Sequence, residues 1–243
     1  MKQDFIKIAS WLWQDYEELK STNDTAQNII VEDKHAKFVI TARRQTNGRG
    51  RLGRIWQSFE GNLFMSLNIA WDIKESAAMV LISGISLAET ILKTAPSSDV
   101  KLKWPNDVLL NDKKVSGILI EGAGNNRLII GIGVNIVACP KKQDVLYEAT
   151  SLQKSGILIG RIDFLRAYLQ EFDRYTAIYQ QKGMQAIADL WQCRAKGIGQ
   201  KIKILTSKNE QSGIFCGIDE KGMLLLRTDS PDLQKICVGD VFF

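Results

Sequence analysis

The chain has 243 residues, a mass of 27.3 kDa, 45% hydrophobic content and a formal net charge of +5. That length and apolar fraction can bury a substantial core, enough for one main domain and a small second one. No run of about 18 uninterrupted apolar residues suggests a membrane span, and the start, Met1-Lys2-Gln3-Asp4-Phe5, lacks the apolar core of a signal peptide.

Residues 5–12 read as a strand, with Trp11 and Trp13 expected in the core or an interface. Ser21 and Thr22 suit the N-cap of a helix reaching about Asp33. Residues 38–43 form a strand leading into a glycine- and arginine-rich loop, and residues 62–71 alternate as another strand. An apolar-rich helix covers 76–93 and ends near Pro96. Strand 100–103 is interrupted by Trp104-Pro105-Asn106-Asp107, where Pro105 lacks the amide a central ladder needs. Asn111-Asp112-Lys113 is a turn, and 115–121 a further strand, so the pair reads as a hairpin. Residues 127–136 are a buried strand whose Gly131 and Gly133 mark either close ligand approach or tight packing under a helix.

Residues 161–181 have helical periodicity, with Ile162, Leu165, Tyr168, Leu169 and Phe172 on one face, and 184–193 continue as a shorter helix. After Gly197 the pattern changes to short strands at 201–205, 213–218, 223–227 and 235–238, with a turn at Asp219-Glu220-Lys221-Gly222. This reads as a small β-barrel, so the expected division is 1–195 and 196–243. The cysteines Cys139, Cys193, Cys216 and Cys237 are widely spaced and read as free thiols of a reducing cytoplasm. The single histidine, His35, has no supporting cluster for a triad or a metal site and reads as an ordinary surface residue.

Two segments stand out chemically. Between Gly48 and Trp56 lie three glycines and three arginines, with no acidic residue from Arg43 to Phe59. Glycine permits close backbone approach, and arginine offers a planar fork of donors to carboxylate and phosphate. The loop is expected to be mobile when empty and to close over an anion; a solvated basic face or a nucleic-acid contact shares that composition. The second segment is the hairpin, which brings Asn106, Asp107 and Lys114 toward one site. Taken singly, Asn106 and Asp107 also suit a turn, and Lys114 suits an edge strand.

In combination, Gly-Arg-Gly-Arg-x-Gly-Arg-x-Trp (48–56), Lys-Trp-Pro-Asn-Asp (103–107) and Lys-x-x-Gly-Ile-Leu (114–119), in this order, resemble the biotin protein ligases. Ser21-Thr22-Asn23 and the Gly-x-Gly-x-Asn stretch at 131–135 agree, and the resemblance runs from about Lys20 to Phe243. It implies an α+β fold: a mixed β-sheet catalytic domain flanked by helices, of the class II aminoacyl-tRNA synthetase and biotin ligase kind, with a small C-terminal SH3-like β-barrel. Many members carry an N-terminal helix-turn-helix domain. Here Ser21-Thr22-Asn23 lies about twenty residues from the start, which implies the monofunctional kind and no DNA binding.

The implied activity is ATP-dependent joining of biotin to a lysine of a biotin carboxyl carrier domain, through a biotinyl-adenylate. Two anions must be held against their repulsion, so catalysis is mainly positioning and charge neutralisation. By resemblance, Lys114 and Arg51 are the catalytic candidates, at the biotin carboxylate and α-phosphate. Ser21, Thr22, Asn23, Gln45, Gly48, Arg49, Gly50, Arg51, Lys114 and Gly117 are expected to bind biotin. Arg51, Arg54, Trp56, Asn106, Asp107 and Asn135 are expected on the ATP side, with Trp56 near adenine. Mg2+ is expected to be held through phosphates, with Asp107 a candidate contact. Lipoate or octanoate ligation is the nearest alternative, since those enzymes share fold and chemistry. A nucleic-acid-binding protein using the arginine loop, or a non-catalytic interaction protein, is a different class. Some family members form homodimers through sheet edges, and the sequence leaves that open.

Overall fold

The computed structural model describes residues 4–29, 37–124, 126–206 and 209–243. The expected surface role of His35 and the expected helix end near Asp33 lie outside them. Strands β1 (Ile6–Ile8), β2 (Trp11–Leu19), β3 (Phe38–Gln45), β4 (Leu63–Ala70), β5 (Val100–Lys103), β6 (Asp107–Leu110), β7 (Lys113–Gly122) and β8 (Arg127–Val134) form one sheet. Its order is β1-β2-β3-β4-β8-β7-β6-β5. β2 and β3 run parallel while their neighbours pair antiparallel, so the sheet is mixed.

The period-2 alternation of the strands divides the core between two faces. Val39 of β3 joins the large cluster built with α2 (Ser76–Thr94) and α3 (Arg161–Gln192). Its neighbours Phe38 and Ile40 face the other way, toward Ala26 of α1 (Thr22–Asn28). α2 is long and apolar enough to cross a membrane, but most of its apolar stretch is buried, packed against α3 and the sheet. α3 breaks at Gly183, whose φ of 75° separates the two helices that the periodicity suggests.

Three local expectations are corrected. Residues 5–12 are two strands, not one, because the chain turns at Ala9, with φ 51°. β2 then runs on to Leu19, through acids that argue against a strand. Partners distant in sequence make it possible: Asp15 accepts from both terminal nitrogens of Arg161 (2.8 and 2.6 Å), while Glu17 and Glu18 pair with Arg43 and Arg44 of the parallel neighbour. α1 stops at Asn28, where the β-branched Ile29 turns extended. The hairpin of 100–121 has three strands, β5, β6 and β7. Asn111 and Asp112, with φ of 51° and 61°, make the tight turn between β6 and β7 in the left-handed region that such hairpins need.

The C-terminal strands β9 (Lys201–Leu205), β10 (Glu210–Ile218), β11 (Leu224–Arg227), β12 (Gln234–Ile236) and β13 (Asp240–Phe242) form a separate antiparallel sheet, ordered β12-β11-β10-β9-β13. β13 is additional to the four strands read from the sequence. No closing ladder between β12 and β13 appears among the described residues. Ile202, Ile204, Phe215, Leu224 and Val241 join the same apolar cluster as α2 and α3. Each such side chain stabilises the fold by about 1.5–3 kcal/mol when fully buried. Trp104 Nε1 also donates to Gly222 O (3.0 Å). The small sheet is thereby seated beside the β5–β7 meander, where the chemistry-bearing residues lie.

Candidate active site

A cavity of about 460 Å³ opens over β7, β8 and the arginine loop. Its walls include Ser21, Thr22, Asn23, Gln45, Arg49, Gly50, Arg51, Arg54, Trp56, Asn106, Asp107, Lys114, Gly117 and Asn135. Of the site residues expected from the sequence, Gly48 alone is not in the wall. It is buried beneath the loop, where an added Cβ would lie 2.7 Å from the Trp56 carbonyl. Its lack of a side chain serves the fold of the loop.

At one end the groups are neutral and mutually bonded. Ser21 caps α1, its hydroxyl accepting from the Asp24 amide. Gln45 Oε1 accepts from the Thr22 amide (2.8 Å) and the Thr22 hydroxyl (3.1 Å). Ser66 donates to Asn23 Oδ1 (2.5 Å) and lies 2.7 Å from Thr22 Oγ1. Asn23 Nδ2 donates to Glu121 Oε2 (2.5 Å). Gly131 lets Asn23 lie against β8, because a Cβ there would collide with the Asn23 amide.

The arginine loop folds back as a small hairpin. Gly50 N donates to Arg54 O (2.7 Å) and Trp56 N to Gly48 O (2.9 Å), with Leu52 and Gly53 in the left-handed region. It is tied down at both ends. Arg49 donates to both oxygens of Glu121 (3.1 and 2.9 Å from one nitrogen) and pairs with Asp24 (2.7 Å). Its hydrogen bond to Glu121 holds the guanidinium pKa above its usual value. At the other end Arg51 donates to Asn106 Oδ1 (2.9 Å) and Gly239 O (3.4 Å), and Arg54 makes a two-nitrogen pair with Asp240. Asp240 lies in β13. Arg54 holds its carboxyl below the usual carboxylate range, and burial pushes the Arg51 guanidinium below its usual value.

Between the two ends lies Trp56. A side chain at Gly117 would first meet its ring, at 2.9 Å, and one at Gly133 would collide with it. Its Nε1 is buried without a partner among the described residues. The two strand glycines are therefore sites of close approach by Asn23 and by the loop. Lys114, on β7, makes a 2.6 Å ion pair with Asp107 and lies 5.5 Å from the Trp56 ring centroid. Asn106 Nδ2 donates to Ile118 O (2.6 Å), pinning the Trp104-Pro105-Asn106 turn against β7. Asn135 spends its amide nitrogen on Thr150 O (3.1 Å), so it supports the wall as well as lining it.

Several wall or supporting residues were not assigned from sequence: Ser66, Glu121, Tyr147, Asp240 and Lys103. An acid closing an apolar strand was the available signal for Glu121. Nothing local marks Tyr147, which reaches the cavity because residues 148–150 run alongside Lys114 (Lys114 N to Glu148 O 2.8 Å, Thr150 N to Lys114 O 2.9 Å). Asp107, Asp144 and Asp240 reach the cavity, but no three metal-binding side chains gather among the described residues.

A mixed sheet with flanking helices, followed by a small antiparallel sheet, is a biotin ligase-like fold. Residues 16–135 match the Biotin/lipoate A/B protein ligase family, and residues 197–243 match the Biotin protein ligase C terminal domain. A Bifunctional ligase/repressor BirA of Bacillus subtilis is 35% identical over 233 residues, spanning 92% of this chain and 71% of that protein. A Biotin--[acetyl-CoA-carboxylase] ligase of Paracoccus denitrificans is 34% identical over 234 residues, spanning 92% of this chain and 97% of its own. Among solved structures, a biotin protein ligase from Aquifex aeolicus in complex with biotin and ATP superposes with a TM-score of 0.82 at 27% identity, covering 95% of this chain and 97% of that one. The chain belongs to the biotin protein ligase family.

Proposed function

We propose that this protein activates biotin with ATP to biotinyl-5'-AMP, releasing pyrophosphate, and then transfers biotin to a lysine of a biotin carboxyl carrier domain. The observation that carries this reading is the joined cavity. Its neutral end offers amide and hydroxyl groups to an uncharged ring, and its other end offers Arg51, Arg54 and Lys114 to anions. A volume of about 460 Å³ falls within the range that takes a ligand of adenylate size. Ser21, Thr22, Asn23 and Gln45 bind the ureido head of biotin. Arg49 and Gly50 close over its tail, with Gly48 supporting the loop beneath them. Gly117 keeps the floor of the pocket low.

Lys114 turns from Asp107 to the biotin carboxylate and the α-phosphate, and Arg51 neutralises the charge that builds between them. Arg54, Trp56, Asn106 and Asn135 form the nucleotide side. When bound, Mg2+ supplies charge neutralisation on the phosphates. The closed loop keeps water from the mixed anhydride. Asp107, freed from Lys114, accepts a proton from the incoming lysine. Residues 1–195 carry this chemistry, and 196–243 contribute Asp240, which holds Arg54. The four free cysteines suit a cytoplasmic enzyme.

The deciding experiment is acid-dependent ATP–pyrophosphate exchange with Mg2+, run with biotin, lipoate and octanoate. Exchange with biotin alone, lost in Lys114→Ala, is the expected result. Exchange with lipoate or octanoate instead overturns the substrate, and no exchange from a folded sample overturns the enzyme reading.

A further inference from the structure

Between β8 and α3 the chain makes a long excursion, residues 135–160, with no strand in it. Its inner side closes the cavity, through Asn135, Pro140, Val145, Leu146, Tyr147 and Ala149. Its outer side carries two exposed apolar side chains, Leu158 at 80% and Val137 at 45%. They share one open groove with Ile136, Ile157 and Ile159, which begins one residue beyond Asn135 of the cavity wall. Apolar side chains scattered singly on a surface are ordinary; two on one groove mark a place where something packs.

The charge of the same stretch is unbalanced. Lys141, Lys142 and Lys154 are exposed, and none has a carboxylate within ion-pair distance among the described residues. The stretch holds two acids, Asp144 and Glu148. Glu148 is already engaged by Lys113 of β7, at 2.8 Å. That bond holds its carboxyl below the usual carboxylate range, and the nearby charges of Lys142 and Lys154 lower it further. Asp144 lies at the cavity. The neighbouring Asp112 is shared by Lys101 and Lys196. The arginine loop, by contrast, spends cations inside the chain: Arg49 on Asp24 and Glu121, Arg54 on Asp240.

We propose that the outer side of residues 137–158 is a docking surface for an acidic face of the carrier domain whose lysine receives biotin. This rests on the reading of the cavity as the site of biotin transfer. The acceptor lysine must reach a mixed anhydride inside the cavity, so the domain that bears it must press on the rim. This stretch of rim has cations without partners and an apolar groove beside them. Lysines at a rim steer an acidic partner and speed its encounter, and salt screens that effect. A nucleic acid would satisfy the lysines but leave the groove of Val137 and Leu158 uncovered, so a folded protein surface fits both features.

The test is steady-state transfer by the full chain, with biotin and ATP saturating, to an isolated biotin carboxyl carrier domain of net negative charge. Wild type is compared with Lys142→Glu/Lys154→Glu, Lys142→Arg/Lys154→Arg and Leu158→Asp. Hydroxylamine serves as a small neutral acceptor, and biotin-dependent pyrophosphate exchange reports the first step. The double glutamate variant is expected to lose about tenfold or more in kcat/KM for the carrier, through KM, with exchange and hydroxylamine transfer within about twofold. Wild-type kcat/KM is expected to fall with added KCl, and that of the glutamate variant to stay flat. The arginine variant keeps wild-type transfer, and Leu158→Asp raises KM for the carrier. Wild-type kcat/KM in the glutamate variant overturns the inference alone; if that variant instead loses binding to a DNA duplex, the surface belongs to nucleic acid. An equal loss for carrier and hydroxylamine marks damage to the cavity and also overturns it. Exchange without carrier transfer by wild type overturns the transfer reading together with this inference, and no exchange overturns the enzyme reading.

Discussion

At the head end of the cavity, Thr22, Asn23, Gln45 and Ser66 are hydrogen-bonded to one another, and Ser21 caps α1. At the far end, Lys114 pairs with Asp107 and Arg54 with Asp240, while Arg51 donates to Asn106 and to Gly239 O. The first arrangement suits an uncharged ring, which is selected by dipoles held at fixed positions. The second carries more cationic than anionic side chains, which a triphosphate and a carboxylate would balance in the proposed function. One half of the site is preorganised for recognition and the other for neutralising charge as it develops. The arginine loop spans both, tied to Glu121 at one end and to Asp240 at the other.

The largest expected effect isolates the cationic end. Lys114→Ala should lower biotin-dependent pyrophosphate exchange by about 10³-fold or more, while biotin binding without ATP stays within a few-fold. A near-normal exchange rate would remove Lys114 from the chemistry. Next, Arg51→Gly should release biotinyl-adenylate about tenfold faster and label bystander lysines. Retention of the adenylate on a desalting column as long as in the parent would end the idea that this residue clamps it.

Glu121→Gln addresses the head end. Losing the charged anchor of Arg49 should raise KM for biotin about tenfold with KM for ATP within about twofold, since each end has its own tie. Equal changes in both constants would mean that the loop moves as one body. The smallest effect concerns acid. Arg54 depresses the Asp240 carboxyl, so the pair contributes fully above the ordinary carboxylate range and its contribution is lost as pH falls through the depressed value. Asp240→Asn should therefore flatten the acid limb of Tm against pH, and an unchanged limb would show that the pair adds nothing to stability.

Much of this was legible beforehand for local reasons. A nine-residue segment holding three glycines and three arginines, and a Trp-Pro-Asn-Asp turn, point to their chemistry through residue type alone. Helices α2 and α3 announce themselves through periodicity, and Gly183 marks the break in α3. What escaped depended on partners far away in the chain. β2 is a strand because Arg43, Arg44 and Arg161 meet its acids. Glu121 matters because Asn23 and Arg49 converge on it across 98 and 72 positions. Asp240 matters because the C-terminal sheet returns to Arg54 across 186 positions.

The sequence by itself determined which chemistry the chain can perform: the donors for anions, the amides and hydroxyls for a neutral ring, and the glycines where backbone must pass close. Residue type and short-range spacing are local properties, and they survive without a fold. The tertiary structure alone decided that these groups face one cavity, that Trp56 lies over Gly117 and Gly133, and that Lys103 is buried against the Tyr147 ring. Burial and charge pairing depend on which distant segments meet, and that is set by packing of the whole chain.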